Sequence, residues 1–285
     1  MLLRHCQGRR AFRDGALIDI AQDHALHVLH EAGLFELGLV FKGGTALRKF
    51  RLGIAGRFST DLDFAVPESS LAELVIEQLD GASVGGFDFA VDVLVPTRRA
   101  RLHIRSQFGS PVIPARIDIS HEPPWLKPEY LEPLAMPVHR FYGIPLRATP
   151  VITIEELLAE KLARYRRDSL ARDLYDLAWF SNRLFNESLV RRLTILKVWR
   201  DVNVSGLGSR PFDLEAILRD RRPQEFQEEA IGHLTIPVDL SAWIASIRTR
   251  FAFLRNVNDI EQMLLSCSLR DAYLVDQEIA ALRDG

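Results

Sequence analysis

Lys42-Gly43-Gly44-Thr45, followed after fifteen intervening residues by Asp61-Leu62-Asp63-Phe64, is the stretch whose reading decides the fold. Ahead of it, Gly38-Leu39-Val40-Phe41 reads as a short buried strand; behind it, Thr45 to Phe50 reads as a short helix with Thr45 near its start. Leu62, Phe64 and Val66 give a second strand pattern. In a strand, residues i and i+2 project from one face, so Asp61 and Asp63 stand side by side while Leu62 and Phe64 point into a core. Two carboxylates that close repel unless a cation sits between them, and Mg²⁺ takes such oxygen ligands. The two glycines let backbone approach a phosphate closely, and a helix starting at Thr45 aims free N–H groups at it. Asp-x-Asp alone and Gly-Gly alone are ordinary in solvated strands and turns. In this order and on these elements, they read together as a triphosphate-plus-metal site.

Outward from that stretch the first half reads as mixed α/β. Residues 14–32 carry helical periodicity through Leu17, Ile20, Ala21, Leu26, Val28 and Leu29, and Ser69 to Leu79 reads as another helix. Strand patterns follow at 87–95, 100–108 and 113–120, and seven prolines between 123 and 150 interrupt regular structure. From Thr153 the pattern turns helical, with Thr153 as N-cap and Glu156 completing a capping box. Further helices fit 169–184, 187–200, 213–219, 223–231, 239–252 and 257–282. The division expected is an α/β domain over 1–150 and a helical domain over 151–285.

With 36 Lys+Arg against 38 Asp+Glu the net charge is −2, so nucleic acid could be bound only through a local patch rather than by overall charge. Hydrophobic residues at 47% and charged ones at 26% exclude a disordered chain. Cys6 and Cys267 have no metal-ligand spacing. No apolar run nears the ~18 residues of a membrane span, and Met1 to Arg10 is polar and basic, so a cytoplasmic protein without a signal peptide is expected.

Two-metal phosphoryl chemistry commonly uses a third carboxylate. Val91-Asp92-Val93 and Ile117-Asp118-Ile119 share the same alternating pattern, which does not separate them; either Asp could face solvent, and Asp118 could pair with Arg116. Lys161 falls inside the apolar stripe of its helix, so it must snorkel, pair with a carboxylate or reach an anion. Asp173 and Asp176 share a helix face, an arrangement that the helix dipole alone also favours. Arg98, Arg99, Arg101, His103 and Arg105 form a dense basic run that is either solvated or set to contact an RNA backbone. Arg164, Arg166 and Arg167 lie beside Lys161, placed to meet phosphates or an acceptor end.

Four segments taken together resemble the AbiEii/MenT branch of the DNA-polymerase-β-like nucleotidyltransferases. Lys42 to Leu47 with Arg57-Phe58-Ser59-Thr60-Asp61-Leu62-Asp63-Phe64 is similar to the first motif. Arg116-Ile117-Asp118-Ile119-Ser120 matches the second better than the segment around Asp92, Glu160-Lys161-Leu162 the third, and Arg172-Asp173-Leu174-Tyr175-Asp176-Leu177 the fourth. The resemblance spans about 42–177 and implies an α+β fold: a polymerase-β-like nucleotidyltransferase domain with a mixed sheet, then a helical domain completing the active site.

It further implies that Asp61 and Asp63 hold one or two Mg²⁺ ions, with Asp118 as third ligand. Asp61, Asp63, Lys161 and Asp173 are the implied catalytic residues, Lys161 neutralising the triphosphate and Asp173 orienting nucleotide or lysine. Lys42, Gly43, Gly44, Thr45, Arg57, Ser59, Arg172 and Asp176, with Asp118, are the implied nucleotide-binding set, Gly44 and Thr45 lying on the phosphates. The implied activity is that of a toxin adding nucleotides from an NTP to the tRNA 3′ end, partnered by a winged-helix antitoxin. Phosphorylation of a hydroxyl near the metal motif is a silencing route in this branch, and Ser59 is so placed. Two alternatives remain at the level of sequence: a protein or small-molecule acceptor, and a nucleotide-binding protein without catalysis, against which the intact acidic and lysine residues argue.

Overall fold

The computed structural model describes residues 2–6, 13–107, 112–234 and 236–284; Met1 and 7–10 of the basic N-terminal stretch, and Phe108 of the strand pattern at 100–108, lie outside the described residues. The chain forms two compact units. One comprises Met1–Pro124, Pro128–Ile152 and His233–Ile236; the other comprises Trp125–Lys127, Thr153–Gly232 and Pro237–Gly285.

The first unit runs α1 (Leu2–His5), α2 (Arg13–Glu31), β1 (Val40–Lys42), α3 (Gly43–Leu47), a π-helical turn over Arg48–Leu52, β2 (Asp61–Ala65), α4 (Ser69–Leu79), β3 (Ser83–Val84), β4 (Phe87–Val95), β5 (Arg99–Ser106), β6 (Ile113–Ser120), β7 (Glu129–Leu131) and β8 (Thr149–Val151). All eight strands form one sheet in the order β3-β4-β5-β6-β2-β1-β8-β7. Parallel pairing joins β2 to β6 and β1 to β8, and the other neighbours are antiparallel. β7 and β8 lie in the proline-rich stretch that was expected to lack regular structure; at three residues each they leave no periodicity to read.

Alternation gives the sheet two different faces. Leu62, Phe64, Leu102, Ile104, Ile117 and Ile119 point to the face packed by α2 and α4. Asp61, Asp63, Arg99, Arg101, Arg116 and Asp118 alternate with them and so project from the other. Phe41 of β1 continues that apolar layer, its ring lying 5.2 Å from Phe64 and 6.1 Å from Phe50.

α2 buries a polar face as well as an apolar one. Asp19, Gln22 and Asp23 fall on one helical face and are almost fully enclosed. Arg48 donates to Asp19 through Nε at 2.9 Å, Lys49 Nζ lies 2.7 Å from Asp23 Oδ1 and 3.3 Å from Asp19 Oδ1, and the Tyr142 hydroxyl donates to Asp23 at 2.7 Å. Two anions and two cations thus balance inside the unit, and the π turn carrying Arg48 and Lys49 is fixed to α2 by charge as well as by packing.

The second unit comprises α5 (Ile154–Tyr165), α6 (Ala171–Phe180), α7 (Glu187–Asn203), α8 (Glu215–Leu218), α9 (Leu240–Arg250), α10 (Asp259–Leu264) and α11 (Ala272–Arg283). Thr153 caps α5 by accepting from the Glu156 N–H, but Glu156 does not close the expected box. Its fully buried carboxylate instead accepts from the backbone N–H groups of Trp125 and Leu126 and from Lys197. The helix expected over 257–282 is broken: α10 ends, Cys267 takes a left-handed φ of 51°, and α11 starts at Ala272. Trp199 Nε1 and Asn203 Nδ2 of α7 donate to the carbonyls of Ser268 and Cys267, satisfying the backbone that the break exposes. Residues 223–231 are likewise two 3₁₀ turns around Pro223 rather than one helix. Among the described residues no helix is long and apolar enough to cross a membrane.

Candidate active site

The first unit builds its site where β1 ends and β2 begins. Lys42 is the last residue of β1 and lies opposite Asp63 in the antiparallel register. The chain then turns through Gly43 at φ +76°, a conformation that L side chains rarely adopt. A β-carbon there would stand 1.9 Å from Asp63 Oδ2, so the carboxylate rests directly on the glycine backbone. At Gly44 a β-carbon would meet Arg57 Nη2 at 2.5 Å and Ser59 Oγ at 3.1 Å. A side chain at either position would collide with these neighbours, so the close packing of the turn depends on both glycines.

Thr45 is fully buried, and its hydroxyl donates to the Asp61 carbonyl rather than facing outward. The side chain of Thr45 thus ties the turn to β2. Gln22 of α2 donates to the Ser59 carbonyl at 3.1 Å and reaches Thr45 Oγ1 at 3.4 Å, holding the same junction from below. Arg57 and Ser59 are each 7% exposed, so both belong to the wall of the turn.

Long-range pairing separates the two candidate third carboxylates. β2 and β6 run parallel with Asp63 beside Asp118 and Asp61 beside Arg116. Neighbouring strands lie about 4.8 Å apart, so three carboxylates share one face within two adjacent strands. Asp92 is on β4, three strands away in the sheet order, where His103 Nε2 lies 2.8 Å from its carboxylate. Asp118 does not pair with Arg116: Arg99 Nε donates to Asp118 Oδ1 at 2.7 Å, while Arg116 reaches Asp61 at 3.3 and 3.4 Å. The hydrogen bond and charge of Asp118 push the Arg99 guanidinium above its ordinary value.

Among the described residues no three His, Cys, Asp or Glu form a closed metal cage. Magnesium does not need one. It usually keeps several waters and takes one or two carboxylates together with substrate phosphates. Asp61 and Asp63, hard oxygen donors on one face beside the glycine turn, fit such an ion.

In the second unit Lys161 resolves its own puzzle. It is 4% exposed, and its Nζ lies 2.6 Å from Asp176 Oδ2 and 3.3 Å from Asp173 Oδ1. Of the three outcomes open to a lysine in an apolar stripe, it pairs with carboxylates. Asp173 is also gripped by Arg164 through Nε and Nη2, and Arg172 sits half-buried beside it on the first turn of α6. Arg166 and Arg167, expected to face phosphates or an acceptor, are committed inside the unit. Arg166 donates to the Leu207 carbonyl and Arg167 pairs with Asp201. Gln22 was not foreseen from the sequence, although the polar spacing 19, 22, 23 within α2 was an available signal; Arg116 was expected beside Asp118 and instead reaches Asp61, and Arg99, expected in a solvated or RNA-facing run, takes Asp118.

Comparison with known proteins gives the family. The family described as nucleotidyl transferase AbiEii toxin, type IV TA system, matches residues 28–257. No match is found among curated proteins. The solved structure of MenT4, a nucleotidyltransferase toxin from Mycobacterium tuberculosis H37Rv, is 46% identical over 99% of this chain and 98% of its own, with a TM-score of 0.95. JHP933 from Helicobacter pylori is 16% identical over 91% of this chain and 97% of its own, with a TM-score of 0.46, too distant to carry an argument. With the motif-bearing elements inside the matched region and a near-superimposable relative, the chain belongs to the AbiEii nucleotidyltransferase toxin family of toxin–antitoxin systems.

Proposed function

We propose that this nucleotidyltransferase transfers a nucleoside monophosphate from an NTP to the 3′-terminal hydroxyl of tRNA, with Mg²⁺ held by Asp61 and Asp63 and supported by Asp118. The observation that carries this reading is the seating of Asp63 on Gly43, which puts the carboxylate against the half-buried backbone of the glycine turn. A magnesium ion bound there would neutralise phosphate oxygens and lower the pKa of the attacking hydroxyl. Asp61 and Asp63 hold that charge in place, and Asp118 adds a third anion from the neighbouring strand. Lys42, Gly43, Gly44 and Thr45 contribute the phosphate cradle, with Arg57 and Ser59 walling it. In the second unit we assign Lys161, on the family resemblance, as the cation that neutralises phosphate charge: Asp173 and Asp176 take two of its three N–H donors and fix its direction, and Arg172 flanks them. The acceptor hydroxyl attacks the α-phosphorus, the bond to the bridging β-phosphate oxygen breaks, and pyrophosphate leaves.

Arg101 and Arg105, exposed on β5 beside the site, favour a polyanionic acceptor over a small molecule. The toxin–antitoxin family implies an antitoxin; a winged-helix regulator and a cytoplasmic setting are part of this proposal. The test is labelling of total tRNA with each α-labelled NTP before and after periodate oxidation, which destroys the 3′ cis-diol. Label confined to unoxidised tRNA supports the reading. Label on a protein band, or on oxidised tRNA equally, overturns it.

A further inference from the structure

Resting on the reading that Asp61 and Asp118 serve the metal, we propose that Arg116 and Arg99 are exchangeable counter-cations. Each holds a carboxylate until a divalent ion takes it over, and Arg116 is then turned to phosphate. Arg116 contacts both oxygens of Asp61, at 3.3 and 3.4 Å, and Arg99 holds Asp118 Oδ1 at 2.7 Å. A metal ion would draw on the same carboxylate oxygens and the same negative charge, so guanidinium and metal compete for them. The arginine side chains are 51% and 55% exposed, whereas Asp61 and Asp118 are 15% and 30% exposed. The cations therefore sit on the solvent side of the anions, held by pairs weak enough to exchange.

A second observation says where Arg116 goes. In the antiparallel register of β5 and β6 it lies directly opposite Arg101, on the same face; on the other side of Arg101 stands Asp92, whose carboxylate His103 contacts at 2.8 Å. Like charges at opposed positions repel unless an anion joins them. While Asp61 accepts from Arg116, that repulsion is offset. Once a metal ion claims Asp61, the two guanidinium groups form a two-armed site for a phosphate, one strand away from the reacting carboxylates. Loading the metal thus creates the anion site. An ordered reaction follows, in which metal binding raises affinity for phosphate at Arg101 and Arg116 by the same factor that phosphate raises affinity for metal.

The test is nucleotide-free Mn²⁺ titration of the wild type and of Arg116→Gln, Arg99→Gln, Arg101→Gln and Asp61→Asn, read by electron paramagnetic resonance. Arg116→Gln and Arg99→Gln should bind Mn²⁺ about two- to five-fold tighter, the size of a lost exposed competitor, and Arg101→Gln should change less. At saturating Mn²⁺, affinity for inorganic tripolyphosphate should fall in both Arg116→Gln and Arg101→Gln. Mn²⁺ affinity in Arg116→Gln and Arg99→Gln no tighter than in Arg101→Gln overturns the exchange, and unchanged tripolyphosphate affinity overturns the phosphate site. The metal reading itself fails in a different pattern: no Mn²⁺ bound by the wild type, or equal binding by Asp61→Asn, which removes the basis of both proposals.

Discussion

The carboxylate of Asp63 rests on the α-carbon of Gly43, with room for no atom between them: a β-carbon at position 43 would lie 1.9 Å from Asp63 Oδ2. The left-handed turn at Gly43 and the placement of the acidic pair are therefore one feature of the structure. Gly43→Ala must displace Asp63 and strain the turn together. Since a shift of about 1 Å in a reacting group costs about 100-fold, nucleotidyl transfer should fall at least that far, with a lowered Tm. Near-normal transfer in the alanine variant would show that Asp63 works from some other position.

Lys49 stands between Asp19 and Asp23 in the buried network that fixes the π turn to α2. Lys49→Met leaves two enclosed carboxylates with half their compensation, and should cost about 3–5 kcal/mol in urea unfolding. Arg248→Ala, which removes an exposed partner of Asp220, should stay within about 1 kcal/mol. Equal effects of the two would mean that the buried network contributes no more than a surface pair.

Lys161 joins both kinds of behaviour, because it is buried and carries a proposed chemical role. Lys161→Met should lower stability by about 3–5 kcal/mol through the stranded Asp173 and Asp176. At a temperature where wild type and variant are both folded, transfer should still be about 100-fold slower. Normal activity per folded molecule would reduce Lys161 to a structural partner of α6.

Stability should fall on mild acidification. Burial pushes the imidazoles of His24, His30 and His139 below their ordinary 6.5. Neutral in the fold, they take up protons in the unfolded chain as pH drops below about 6.5, so the unfolded state binds more protons and is favoured. Their contribution is complete above about pH 6.5 and is lost as pH falls towards their lower folded values. Burial works against the Asp19 carboxylate, yet Lys49 and Arg48 hold it well below the usual range, so it does not titrate in that window. Tm should decline between pH 7.5 and about 5.5. His30→Gln, which can still bond Thr149, should flatten the decline; an unchanged slope would remove His30 from this account.

Local pattern made half of the site legible. Alternation in Asp61-Leu62-Asp63-Phe64 gives the buried and exposed faces that β2 shows, and the position of Lys161 within its apolar stripe already required a partner. Choosing between Asp92 and Asp118 needed the pairing of β2 with β6, in which Asp63 meets Asp118 from 55 positions away, and two matching local patterns carry no such information. The buried charges of α2 were hidden for the same reason: Asp19 makes sense only once Arg48 and Lys49 are known to fold onto it. Cys267 ends a helix with no turn residue to announce it, because the support comes from Trp199 and Asn203 on another helix.

The most direct test of the acidic pair as the transfer centre is incorporation of an α-labelled NTP into total tRNA, with Mg²⁺, by the wild type, Asp61→Asn, Asp63→Asn and Asp92→Asn. Each variant keeps the shape of the side chain and removes one charge. Label should appear with the wild type and with Asp92→Asn, three strands away, and be lost with Asp61→Asn and Asp63→Asn. Undiminished label with either of those two, or loss only with Asp92→Asn, would contradict the assignment.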